Sequence, residues 1–167
     1  MTVQQQGTKY RRWLGPTLFA LAFVLYCFTL SPGAFPGESA RLIVQHSGLD
    51  PFPPMSHPLW SGVVRLIGLL PLGSLALRLN LFSALCGAGV VWLVYRLTTR
   101  IPRDRTFEEI DCAFSARRVK SFSGTVAALI LAACVPFWLV STRAHTAAFD
   151  LLLLLWAVHL LVLVAEQ

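Results

Sequence analysis

Leu75-Ala76-Leu77-Arg78-Leu79-Asn80-Leu81-Phe82-Ser83-Ala84-Leu85-Cys86-Gly87-Ala88-Gly89-Val90-Val91-Trp92-Leu93-Val94-Tyr95-Arg96-Leu97 is the stretch whose reading decides the fold class. As a helix it is long enough to cross a hydrocarbon core of about 30 Å, which ordinary core helices of soluble domains are not required to do. Before it, Leu59 to Leu70 is apolar but reaches only about 18 Å at 1.5 Å per residue, so it reads as an interfacial or re-entrant helix. After it come the hydrophilic segment Thr98 to Ser121, then two more apolar runs, Gly124 to Val140 and Ala147 to Ala165. The tight polar link Ser141-Thr142-Arg143-Ala144-His145-Thr146 joins those two runs.

Toward the N-terminus, Leu14 to Leu30 forms another span, with Pro16 placed in its first helical turn, where a missing N–H is harmless. Pro32 and Gly33 end it. The polar stretch from Ser31 to Pro58 is interrupted by Glu38 to His46, a short amphipathic helix stopped by Gly48. The expectation is an all-α integral membrane protein with about four transmembrane helices, 14–30, 75–97, 124–140 and 147–165, forming one module over 14–165. Residues 1–13 are a cytoplasmic tail, 31–74 an outer loop with short interfacial helices, and 98–123 a cytoplasmic loop.

Composition agrees. Of the 167 residues, 56% are apolar and only 13% charged, and the mean hydropathy is +0.65, whereas soluble domains carry about 25% charge. Leu14 to Leu30 is longer than the roughly 7–15 residue apolar region of a secretory signal, so an uncleaved signal anchor is expected. Cys27, Cys86, Cys112 and Cys134 show no CxxC spacing and suggest neither a disulfide framework nor a metal site. The net charge of +6 follows from basic residues that flank membrane segments, so no nucleic-acid partner is expected.

Orientation follows the Lys and Arg residues. Lys9, Arg11 and Arg12 in the tail, with Arg96, Arg100, Arg103, Arg105, Arg117, Arg118 and Lys120 after the second span, belong on the cytoplasmic side. Only Arg41, Arg65, Arg78 and Arg143 remain for the outer face, so the Glu38 loop and the His145 turn should share that side. The N-terminus is therefore expected on the cytoplasmic side and the first loop on the periplasmic or extracellular side.

The outer loop collects Glu38, Arg41, His46, Asp50 and His57 at the height of lipid head groups. Two readings of Glu38 stand side by side. It is a helix-start carboxylate paired with Arg41 one turn on, or a general base toward a hydroxyl acceptor, with Arg41 or Arg78 binding a phosphate leaving group. Arg78 and Asn80 stand at the outer start of the second span, where Arg78 either snorkels to head groups or binds phosphate. The spacing of His46 and His57 fits no metal motif. Asp150 is near the outer end of the last run and is explained by hydration, while His159 lies deeper and should face protein. The mixed-charge segment Arg103 to Asp111 reads as a solvated loop without catalysis.

Three stretches carry a resemblance: Phe35-Pro36-Gly37-Glu38-Ser39-Ala40-Arg41-Leu42, Pro53-Pro54-Met55-Ser56-His57-Pro58-Leu59-Trp60, and Pro71 to Leu85, whose Arg-x-Asn-x-x-Ser-Ala run is the most specific. Their order resembles the N-terminal region of a bacterial membrane family of unknown function related to protein O-mannosyltransferases, within the GT-C fold of glycosyltransferases that use polyprenyl-phosphate sugars. The resemblance implies a bacterial inner (plasma) membrane as the place of the protein. Where that family has Asp, this chain has Glu38, and Arg41 stands where a second acid is expected. His145, in Ala144-His145-Thr146-Ala147, stands in place of another family carboxylate.

The resemblance implies that Glu38 deprotonates an acceptor hydroxyl, which displaces a lipid phosphate from the anomeric carbon with inversion. Arg41, Arg78 and Arg143 would stabilise the leaving phosphate, with His57, Asn80 and His145 as further substrate-binding candidates. No cofactor is implied beyond the polyprenyl-phosphate sugar as donor, and no metal. Expected partners are the bilayer, the lipid-linked sugar, and further membrane helices or a partner subunit, because GT-C proteins have many more spans and this chain resembles the N-terminal module of one. The alternative is a non-catalytic membrane scaffold or assembly subunit whose loop binds a partner or head group. A small transporter is disfavoured, since no Gly/Pro-interrupted pair of spans carries inward charges.

Overall fold

The computed structural model describes residues 3–47, 57–71, 73–100 and 113–166, with side chains from Trp13 onward in the first helix and from Val119 onward in the fifth. Asp50, Cys112, the segment Arg103 to Asp111 and the side chains of Lys9, Arg11, Arg12, Arg117 and Arg118 lie outside what is described. Seven helices make up the described elements: α1 Val3–Phe28, α2 Glu38–His46, α3 Pro58–Gly68, α4 Leu75–Arg100, α5 Ala113–Ala133, α6 Val135–Ser141 and α7 Thr146–Ala165. No strand occurs among the described residues.

The stretch that opened the reading becomes α4, the central helix, against which α1, α5, α6 and α7 all pack. Small residues let them approach. Ala84, Gly87 and Ala88 face the other helices, and a Cβ on Gly87 would stand 2.7 Å from the Cβ of Ser141 and 3.2 Å from the Tyr26 ring. Between helices in lipid there is no hydrophobic driving force, so close van der Waals approach of this kind carries the association. The core is completed by Leu18, Ala22 and Tyr26 from α1, Val91 and Tyr95 from α4, Ala128 and Ala132 from α5 and Phe137 from α6.

Two helices, α4 and α7, are long and apolar enough to cross a membrane, and three spans result if α5 and α6 count as one bent span, against about four expected. The most apolar stretch of α4 is 56% buried inside the protein and that of α7 only 11%. A helix apolar on every side and so little covered suits contact with lipid. The apolar part of α1 is Trp13–Phe28, about 24 Å long, which is why it falls short of a full span. Residues read as a tail are helical from Val3, so Pro16 lies well inside α1 and not in its first turn.

The run 124–140 does not form one rod: α5 and α6 meet at a 69° bend at Cys134, which takes an extended conformation. Pro136 explains the break. It has no N–H to give the carbonyl of Ala132 four residues earlier, and its ring would crowd that oxygen. The orphaned Ala132 oxygen instead accepts a hydrogen bond from the buried Tyr26 hydroxyl at 3.2 Å, so the backbone group stays paired at membrane depth.

Polar contacts mark two ends. At one, the Arg100 guanidinium meets the Glu166 carboxylate at 3.1 Å and Arg96 lies over the Trp92 ring. At the other, the end of α1, the start of α4 and the α6–α7 link converge: Ser31 N–H donates to the Thr142 oxygen at 3.3 Å and Trp138 Nε1–H to Thr29 Oγ1 at 2.9 Å. Over this second end lie α2 and α3, seated on a separate cluster of Trp60, Val64, Leu79 and Ala144. Trp60, Phe82 and Phe149 form a tilted aromatic triad with centroids 5.4 to 6.0 Å apart. Leu59, Leu66, Leu69 and Leu70 of α3 and its C-terminal turn remain exposed, leaving that helix with an uncovered apolar face. His159 is buried against its neighbours, as its depth suggested.

Candidate functional site

The site is built from the start of α4 upward. Asn80 and Ser83, one helical turn apart and both wholly buried, take the two backbone N–H groups that lead into α7: Ala144 N–H donates to Asn80 Oδ1 at 2.7 Å and His145 N–H to Ser83 Oγ at 3.3 Å. The Asn80 amide then donates to the carbonyls of Ser31 at 2.7 Å and Gly33 at 3.2 Å. One side chain thus ties the loop after α1 to the turn before α7. Two residues earlier, Arg78 donates to the carbonyls of Gly68 at 2.7 Å and Gly73 at 3.0 Å, closing the end of α3 against the turn into α4. The Arg-x-Asn-x-x-Ser-Ala run is therefore architectural: each polar member holds backbone.

With the turn fixed, His145 serves as the N-cap of α7, its Nδ1 accepting from Ala147 N–H at 3.0 Å. Its Nε2 stands 2.9 Å from Oε2 of Glu38, the first residue of α2. Glu38 owes its place to Gly37, whose φ of 102° and ψ of −142° belong to a region essentially reserved for glycine. Glu38 therefore pairs with His145 across the molecule and not with Arg41 one turn on.

Glu38 lines an open cleft of about 480 Å³ with Gly37, Arg41, Leu42, Gln45 and His57. Arg41 is exposed, and among the described residues nothing occupies its guanidinium. His57, at the N-cap of α3, has Nδ1 3.7 Å from Oδ2 of Asp150 in the second turn of α7. Two histidine–carboxylate contacts therefore lie between α2 and α3 and the start of α7. Among the described residues no group of three or more His, Cys, Asp or Glu is placed to hold a metal ion, and Cys27, Cys86 and Cys134 are free thiols.

Of the residues singled out in the sequence, Glu38, Arg41, His57 and His145 come together. Arg78 and Asn80 do not line the cleft and are engaged by backbone carbonyls. Arg143 stacks over Phe35, its guanidinium carbon 3.3 Å from the ring centre, and does not line the cleft. Asp150 and Ser83 were missed as parts of the site. The serine carried a signal, standing one turn after Asn80 in the same run, whereas nothing local to Asp150 pointed to His57.

Residues 39–167, more than three quarters of the chain, match the family model described as the protein O-mannosyl-transferase TMEM260 N-terminal domain. The chain belongs to this family. The matched part of the TMEM260 N-terminal domain contains Asn80, Ser83 and Ala144 of the clamp, the cleft residues Arg41 and His57, and His145. It begins at Ser39, one residue after Glu38. No solved structure matches the chain.

Proposed function

We propose that this TMEM260-type domain carries the acceptor-activating base of a membrane glycosyltransferase, with Glu38 as that base. The observation that carries the reading is the Glu38 carboxylate lining an open cleft that Arg41 also lines, with no partner on the Arg41 guanidinium among the described residues. The family's relation to O-mannosyl transfer supports a transferred sugar, mannose first; a polyprenyl-phosphate donor and a hydroxyl acceptor are the proposal's own terms.

In this reading the Glu38 carboxylate takes the hydroxyl proton as the oxygen attacks the anomeric carbon. The bond from that carbon to the phosphate oxygen breaks, its electron pair leaves with the lipid phosphate, and the configuration inverts. Arg41 is the cation for the leaving phosphate, since Arg78 and Arg143 are committed elsewhere. The exposed leucines of α3 would set the cleft at head-group height, where a lipid-linked donor presents its phosphate. Four bilayer-inserted helices, a GT-C arrangement and an outward-facing cleft in a bacterial inner membrane complete the proposal.

The test is transfer from polyprenyl-phosphate mannose in membranes carrying the intact protein. Glu38→Gln is expected to lower kcat by about 100-fold or more, as loss of a general base does. Undiminished transfer removes the reading in favour of a non-catalytic scaffold, and a purely structural Glu38 would show instead as a loss of protein from the membrane.

A further inference from the structure

We propose that His145 is a positioning residue: its ring is held in one neutral tautomer and donates a hydrogen bond to Glu38, keeping that carboxylate turned to the cleft. The inference rests on the reading of Glu38 as the base and goes beyond it by assigning the group that aims it.

The tautomer follows from the hydrogen bonds. Ala147 N–H donates to Nδ1 of His145 at 3.0 Å, which uses the only in-plane lone pair of that nitrogen, so Nδ1 carries no proton. In a neutral imidazole the proton then sits on Nε2, the atom 2.9 Å from the Glu38 oxygen. The contact is a directed hydrogen bond from a neutral ring to a carboxylate.

The ring's base is fixed as firmly as its tip. Asn80 and Ser83 hold the backbone N–H groups of Ala144 and His145 from fully buried positions, and Thr146 and Ala148 beside them are buried too. Both ring nitrogens are thereby occupied, which removes His145 from the substrate-binding role expected of it. The bond uses one lone pair of one Glu38 oxygen and leaves the other oxygen free to accept the acceptor's proton. A carboxylate at position 145 would repel Glu38. Histidine reverses the sign of that contact and turns a neighbour into a holder.

The test combines a spectroscopic and a kinetic measurement on the intact protein in lipid nanodiscs. With the imidazole nitrogens labelled, the chain presents only four histidines, and the His145 signals are those lost in His145→Gln. At mildly alkaline pH they are expected to show a protonated Nε2 and a bare Nδ1, with the Nε2 signal moving in Glu38→Gln. A protonated Nδ1, or an Nε2 signal indifferent to Glu38→Gln, overturns the proposal.

His145→Asn separates the two jobs of the side chain, since asparagine caps a helix well but is too short to reach Glu38. It is expected to retain wild-type thermal stability while kcat for transfer from polyprenyl-phosphate mannose falls about 10- to 100-fold and KM stays near wild type. His145→Ala should lose both stability and rate. An Asn variant as fast as wild type overturns the positioning role. Should Glu38→Gln transfer normally while the ring signals behave as expected, the base assignment is what fails, and the spectra tell the two failures apart.

Discussion

Single residues at the mouth of this protein are placed by backbone more than by one another. Gly37 is the clearest case, because its positive φ turns the chain so that α2 begins on Glu38. Gly37→Ala would strain that turn by about 1–3 kcal/mol and displace the carboxylate, so transfer is expected to fall about tenfold or more and the melting temperature to drop by a few degrees. Asn80 is the opposite case. Asn80→Ala would leave the Ala144 N–H and the Ser31 carbonyl without their buried partner, and a loss of about 2–4 kcal/mol is expected in unfolding followed in lipid or detergent. At this scale the sequence was only partly legible. Glu38, Arg41, His57 and His145 could be picked out by residue type and by their shared end of the molecule. That Arg78 and Asn80 serve backbone carbonyls could not, because the carbonyls of Gly68 and Gly73, and of Ser31 and Gly33, reach them through turns with no side-chain signature.

Among the helices, α4 and α7 were readable because long uninterrupted apolar runs leave few alternatives in water or lipid. The amphipathic α2 and short α3 were readable for a similar reason, their polar flanks and limited length. The run over 124–140 was misread as one rod although Pro136 stood in it. Its effect depends on which carbonyl it orphans and who answers, and the answer comes from Tyr26, 106 residues away along the chain. Tyr26→Phe removes that partner, and a cost of about 0.5–1.5 kcal/mol is expected in thermal unfolding, in line with interhelical hydrogen bonds in membranes. Gly87→Ala should cost more, about 1–3 kcal/mol, since the added methyl meets Ser141 of α6 and the Tyr26 ring.

For the whole molecule, the two polar ends make a prediction about sides. Glu38, His57, His145 and Asp150 gather at one end, while Arg96, Arg100 and Glu166 lie at the other. In a cysteine-free background, Ser47→Cys is expected to react with an impermeant thiol reagent from outside and Ser115→Cys only after the membrane is opened; the reverse pattern would invert the orientation proposed from the basic residues. The Asn80 clamp also has a consequence in time. The ribosome makes Asn80 well before Ala144, its partner 64 residues later, so a nascent chain carries an amide in a largely apolar helix with its acceptor unmatched until the link before α7 emerges. Asn80 thereby ties the pairing of α4 to a link made long after it, and Asn80→Ala would remove that dependence along with the clamp.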